Sequence, residues 1–204
     1  GYNNVEIPTQ VNASLQTAEK PDPNQVKNLV AEMLTAQGFN EIWSNSLTKA
    51  GYYEGLNQYG DAQSVKLLNP LSADLNGMRQ TLLFGGLEAV QRNTNHRNLN
   101  LKLYEFGNCY HFNKNADRSK EPLKSYSEDL RLGVWVTGEK TAETWVQKPQ
   151  VASFFTIKGY VHSVLTRFGF DIDSLTIEDA PSDIFGYGLS YSLKNKPLVT
   201  FGLV

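Results

Sequence analysis

The chain has 204 residues, 40% of them apolar, which is enough for one large domain or two small ones with a sizeable core. A formal charge of -2, from 19 basic and 21 acidic residues, excludes a net cationic field of the sort that binds a phosphate backbone by itself. The single cysteine, Cys109, excludes an intramolecular disulfide and a cysteine-built zinc site; no apolar run approaches the roughly 20 residues of a bilayer span, and GYNNVEIPTQ has no signal pattern, so a soluble, cytoplasmic protein with no membrane contact is expected.

GYNNVEIP opens without a methionine and PLVTFGLV closes on an uncapped strand, so the chain reads as a piece of a longer one. Residues 1–22, polar before Pro21 and Pro23, read as a connector from a preceding module. Asp22 is placed to cap a helix whose first position is Pro23, where a missing N–H does no harm. Val26, Leu29, Val30, Met33 and Leu34 fall on one apolar stripe at helical period. Gly38 follows as the left-handed stop, with Phe39 folding back on the last turn. Residues 39–48 alternate Phe39, Glu41, Trp43, Asn45 and Leu47 against Asn40, Ile42, Ser44, Ser46 and Thr48, which predicts one strand.

A short helix or loop rich in Gly and Tyr covers 49–63, SVKLL at 64–68 reads as a strand, and NPLSADLNG is turn chemistry. A second helix is predicted over 81–93 with Leu83, Leu87 and Val90 on one face; Gly85 and Gly86 inside it each cost roughly 1 kcal/mol against Ala and call for a reason such as close approach of another backbone. Strands at 101–106 and 108–112 flank Gly107, read as a bulge or bend. A loop over 113–128 leads to LRLGVWVTG, a strand expected to be buried on both faces. A third helix over 153–168 carries Phe154, Ile157, Val161, Val164, Leu165 and Phe168 on one stripe and stops at Gly169. Short strands near 174–178, 188–194 and 197–203 complete an α+β domain, a mostly antiparallel sheet with helices packed on it.

Residue chemistry returns mostly negatives. His96, His111 and His162 share no ligand spacing, so no metal site is expected; neither GYG at 186–188 nor FGG at 84–86 continues into a phosphate-binding loop. Ser153, Ser163 and Cys109 lack nucleophile context. Glu105 could work with Glu128 or Asp129 as acid and base, or could be a strand-end residue beside a solvated loop.

GFNEIWSNSLT, NPLSADLNGMRQTLLFGGLEAVQRN, LKLYEFGNCYHF and VASFFTIKGYVHSVL, in that order, resemble the β subunit of bacterial phenylalanyl-tRNA synthetases over nearly the whole chain. The resemblance implies a class II synthetase-like core over 23–204, ending before motif 3. It also implies that the first helix and the 39–48 segment form motif 1, the association element, with interface candidates Val26, Leu29, Val30, Met33, Phe39, Ile42 and Trp43. Motif 2 of a catalytic chain needs an Arg and a Glu, because a guanidinium fork holds phosphate and carboxylate in geometry for attack. Registering Gly107 on the motif glycine puts His111 and Asn113 at those positions, and an imidazole and an amide cannot replace that fork. Lys158 and Gly159 are read as structural.

The implied role is therefore non-catalytic: a module packed against the catalytic α subunit of an (αβ)2 enzyme that charges tRNA(Phe) with phenylalanine. ATP and magnesium belong to the holoenzyme, and no cofactor to this piece. Three rival readings are an active ligase core, a tRNA-binding module using Arg92, His96, Arg97 and Lys102, and a stand-alone amino-acid-binding paralogue.

Overall fold

A computed structural model of the chain describes residue 14 and residues 21–116, 122–141, 143–181 and 183–204, so the connector expected over 1–22 lies almost wholly outside the described residues. Helix α1 (Pro23–Ala36) starts where its cap predicts, with the Asp22 carboxylate accepting from Asn24 N at 2.9 Å. It ends at Gly38, which takes φ 86°, and Phe39 N returns to Leu34 O at 3.1 Å. Phe39 is thereby turned into the core, 3% exposed.

Strand β1 (Asn40–Glu41) runs parallel to β4 (Leu101–Phe112), which pairs antiparallel with β5 (Tyr126–Thr137). Two-residue strands β2 (Leu47–Thr48) and β3 (Gly77–Met78) pair with each other, and α2 (Leu83–Asn95) follows them. After β5 come the small pair β6 (Glu139–Thr141) and β7 (Gln150–Val151), then α3 (Phe154–Arg167). Strands β8 (Thr176–Asp179), β9 (Tyr187–Leu193) and β10 (Lys196–Leu203) form a second antiparallel sheet, in the order β10-β9-β8.

Alternation along β4 divides the core. Leu103 and Cys109 point to one face and pack with Leu82 and Trp135 under α2. Tyr104 points to the other, against Val30, Leu34 and Phe39, with Tyr160 and Val164 of α3 beside them. Helix α3 also sends Phe154 and Leu165 into the second sheet, onto Leu175, Tyr191 and Phe201. It is shared by the Tyr104 cluster and the cluster of the second sheet.

Several expectations are corrected. Residues 39–48 are not one strand. Ile42 N still reaches Tyr104 O at 2.8 Å, but Ser44 N turns to the Glu105 carboxylate at 3.3 Å and Asn45 Oδ1 takes Leu47 N at 3.0 Å, a side-chain competitor that breaks the ladder. SVKLL makes only a bridge from Lys66 to Gly77, and Leu68 is 94% exposed; Pro70 constrains Asn69 and removes the next donor. Gly107 marks no bulge, because β4 pairs residue for residue with β5 through Gly107 and Arg131. Strand β5 is an edge strand whose residues 126–131 are exposed, so it is not buried on both faces. Phe168, expected on the buried stripe, is 42% exposed beyond the end of α3. What approaches Gly86 is an indole and not a backbone: a Cβ there would lie 1.9 Å from Trp135 Cε2.

Candidate functional site

The α2-facing side of β4 and β5 carries the polar groups that a ligand on this sheet would meet. Glu105 is 0% exposed, and its Oε1 takes Arg79 Nη1 at 2.6 Å, with Arg79 itself 6% exposed. Arg79 Nε donates to Asn108 O at 2.9 Å, Arg79 N to Ser46 O at 3.0 Å, and Arg79 O accepts from Tyr110 N at 2.8 Å. One side chain and its own backbone therefore tie the 44–46 segment, β3 and β4 together. Gly107 is required below it, since a Cβ would stand 2.1 Å from Arg79 Nη2. This node escaped the sequence reading, because an Arg beside a turn and a Glu in a strand each look solvated; the nearest signal was Glu105 lying between Tyr104 and Phe106 in a strand with apolar neighbours.

Farther along the same face come Cys109, then His111. Cys109 is 1% exposed, and burial pushes its thiol up, which makes it a poor nucleophile. His111 is half-buried and its imidazole is held below the ordinary value by burial first and by the Arg131 cation second, so it is neutral at physiological pH. Asn113 lies just past β4 and is exposed; its backbone N–H donates to Ser125 O at 2.7 Å and its side chain accepts from Asn115 N at 3.0 Å. A neutral ring and a turn-making amide offer no fork for a phosphate.

Tyr59 is half-buried, and burial raises its phenol. Glu105 and Glu128 do not pair as acid and base: Glu105 sits opposite Gly133 and is spent on Arg79, while Glu128 sits opposite Tyr110 and accepts from Asn108. Among the described residues no group of three or more His, Cys, Asp and Glu gathers as a metal site, and no helix is long and apolar enough to cross a membrane.

Of the interface candidates, Val30 and Phe39 are 1% and 3% exposed in the chain's own core. Val26, Leu29, Met33 and Ile42 are half-buried, Met33 beside Val30 and Ile42 under α2. Trp43 stands apart at 93% exposure, between Ile42 and Ser44, whose backbones are both anchored to β4. The candidate tRNA contacts do not gather. Arg92 and Arg97 are exposed at the end of α2, but Lys102 is on the opposite face of the sheet, donating to Gln37 O at 3.1 Å with its ammonium over the Phe39 and Tyr160 rings.

A family model described as the phenylalanyl tRNA synthetase beta chain CLM domain matches residues 7–204. The chain is 50% identical over 206 aligned residues to the phenylalanine–tRNA ligase beta subunit of Bacteroides thetaiotaomicron, and 48% identical to that of Bacteroides fragilis. The alignments cover 100% of this chain and 25% of each relative, so the chain spans about a quarter of their length. Among solved structures, the pyrrolysyl tRNA synthetase PylSc of Desulfitobacterium hafniense superposes with a TM-score of 0.58 over 89% of this chain and 56% of that one. At 16% identity the likeness is one of fold, that of a class II synthetase core.

Proposed function

The chain belongs to the phenylalanyl-tRNA synthetase β-chain family, in its CLM domain, and on that premise we propose that it is a non-catalytic assembly module of a phenylalanine–tRNA ligase. The observation that carries the reading is the sheet face. His111 and Asn113 offer no cationic fork, and the Arg79 guanidinium occupies the ground above Gly107. Catalysis by electrostatic stabilisation needs preorganised donors or charges aimed at the reacting atoms, and transfer to a phosphate relies on a cationic clamp. Here the guanidinium is consumed by Glu105.

In this reading a catalytic α subunit activates phenylalanine with ATP and magnesium and charges tRNA(Phe) in the cytoplasm, while this module packs against it in an (αβ)2 assembly. Trp43 is its anchor. Large aromatic side chains held in a rigid backbone lose little freedom on docking and carry much of an interface's energy. The tRNA-binding alternative is weakened because Lys102 is already engaged.

Size-exclusion chromatography with light scattering, on this chain alone and mixed with the α subunit of its own enzyme, tests the proposal. Co-elution that is lost in Trp43→Ala, with thermal stability unchanged, is expected. Separate elution of two folded proteins would remove this region from the subunit interface.

A further inference from the structure

Trp43 is 93% exposed, yet the backbone on either side of it is fixed. Ile42 N donates to Tyr104 O at 2.8 Å, within the first sheet. Ser44 is held by two side chains from elsewhere in the fold: its N–H donates to Glu105 Oε1 at 3.3 Å, and its carbonyl accepts from Arg79 Nη1 at 3.4 Å. Two residues on, Ser46 O accepts from Arg79 N at 3.0 Å. The Ser44 side chain lies against α2, where a Cβ on Gly85 would stand 3.0 Å from Ser44 Cβ.

A buried ion pair is a poor device for stability alone, since apolar side chains of similar volume in its place are often neutral or better. Glu105 is not optimised for stability: its Oε2 is buried with no hydrogen-bond partner among the described residues. What apolar side chains at positions 79 and 105 could not supply is the acceptor for Ser44 N and the donor for Ser44 O.

We propose that Arg79 and Glu105 are positioning residues for subunit docking, holding residues 42–46 as a rigid pedestal that presents Trp43 to the α subunit. This rests on the reading of Trp43 as the anchor. A segment ordered before it meets its partner loses less freedom on binding, so the pedestal strengthens the contact that Trp43 makes. The ion pair acts on the complex through Trp43, and its effect on binding vanishes where Trp43 is absent.

The test uses the full-length β polypeptide assembled with fluorescently labelled α. Mixing with excess unlabelled α gives the rate at which the label is released. Four complexes form a cycle: unaltered, Trp43→Ala, the pair variant Arg79→Met with Glu105→Leu, and all three substitutions together. The pair variant should release α roughly tenfold faster than the unaltered complex, and the triple variant no faster than Trp43→Ala. Acceleration by the same factor with and without Trp43 would show that the pair acts only on stability and would overturn the proposal. Faster release from Trp43→Ala beside unchanged release from the pair variant would overturn it too, while leaving the anchor in place. Unchanged release from Trp43→Ala would remove the anchor itself. Gly85→Ala runs the same cycle without touching the ion pair, because its Cβ pushes Ser44 aside. Faster release that depends on Trp43 is expected there as well, and unchanged release would show that the segment need not be held.

Discussion

At the scale of single residues, Arg79 and Glu105 dominate. A buried carboxylate is tolerated only while its partner and hydrogen bonds remain, and the loss of one partner costs more than the pair contributes. Arg79→Met should therefore destabilise the chain by about 3–5 kcal/mol in urea unfolding, and the double variant Arg79→Met, Glu105→Leu should recover part of that. His162 offers a pH-dependent counterpart. Its Nε2 lies 2.9 Å from the hydroxyl of Tyr191, which is 0% exposed, and burial followed by the Lys158 cation lowers its pKa. A histidine whose folded value lies below its unfolded one contributes stability that is full above the unfolded value of about 6.5 and is lost as pH falls through the folded value. The urea midpoint should fall between about pH 7 and pH 5, and His162→Gln should flatten that slope; an unchanged slope would mean that His162 titrates alike in both states.

At the scale of elements, glycines separate positions that look alike in the sequence. Gly86 and Gly159 both lie inside helices, where Ala is favoured by roughly 1 kcal/mol. A Cβ on Gly159 meets nothing within 4 Å, so Gly159→Ala should stabilise by about 0.5–1 kcal/mol. A Cβ on Gly86 would enter the Trp135 ring, and a buried indole cannot step aside cheaply. Gly86→Ala should lose about 1–3 kcal/mol, overpacking outweighing propensity. Thermal unfolding of the two variants checks both signs. The split of residues 39–48 belongs to this scale too. The periodicity that predicts a strand survives as burial, with Ile42 and Ser44 turned inward and Trp43 outward, while the ladder is given up to Glu105 and Asn45.

At the scale of the whole molecule, two three-stranded sheets, one mixed and one antiparallel, share α3, and the Arg79 guanidinium lies against Gly107 on the α2-facing side of the first. The double variant His111→Arg, Asn113→Glu should show no pyrophosphate exchange with ATP and phenylalanine when assayed without α, since restoring a fork leaves Arg79 held by Glu105 over Gly107. Detectable exchange would mean that Arg79 yields to substrate. Helix α1, with its Asp22 cap and Gly38 stop, and α3, with its period and Gly169, were legible from residue order, because caps and helical stripes are interactions over a few positions. The order of the four segments was legible for the same local reason and carried the family. The ion pair between residues 79 and 105, the indole against Gly86, the loss of Lys102 to Gln37 and the Asp183 carboxylate on the Asn57 amide were decided only when distant segments met. A charge or a glycine read in isolation defaults to solvent or to a turn, and only burial against a partner far along the chain reverses that default.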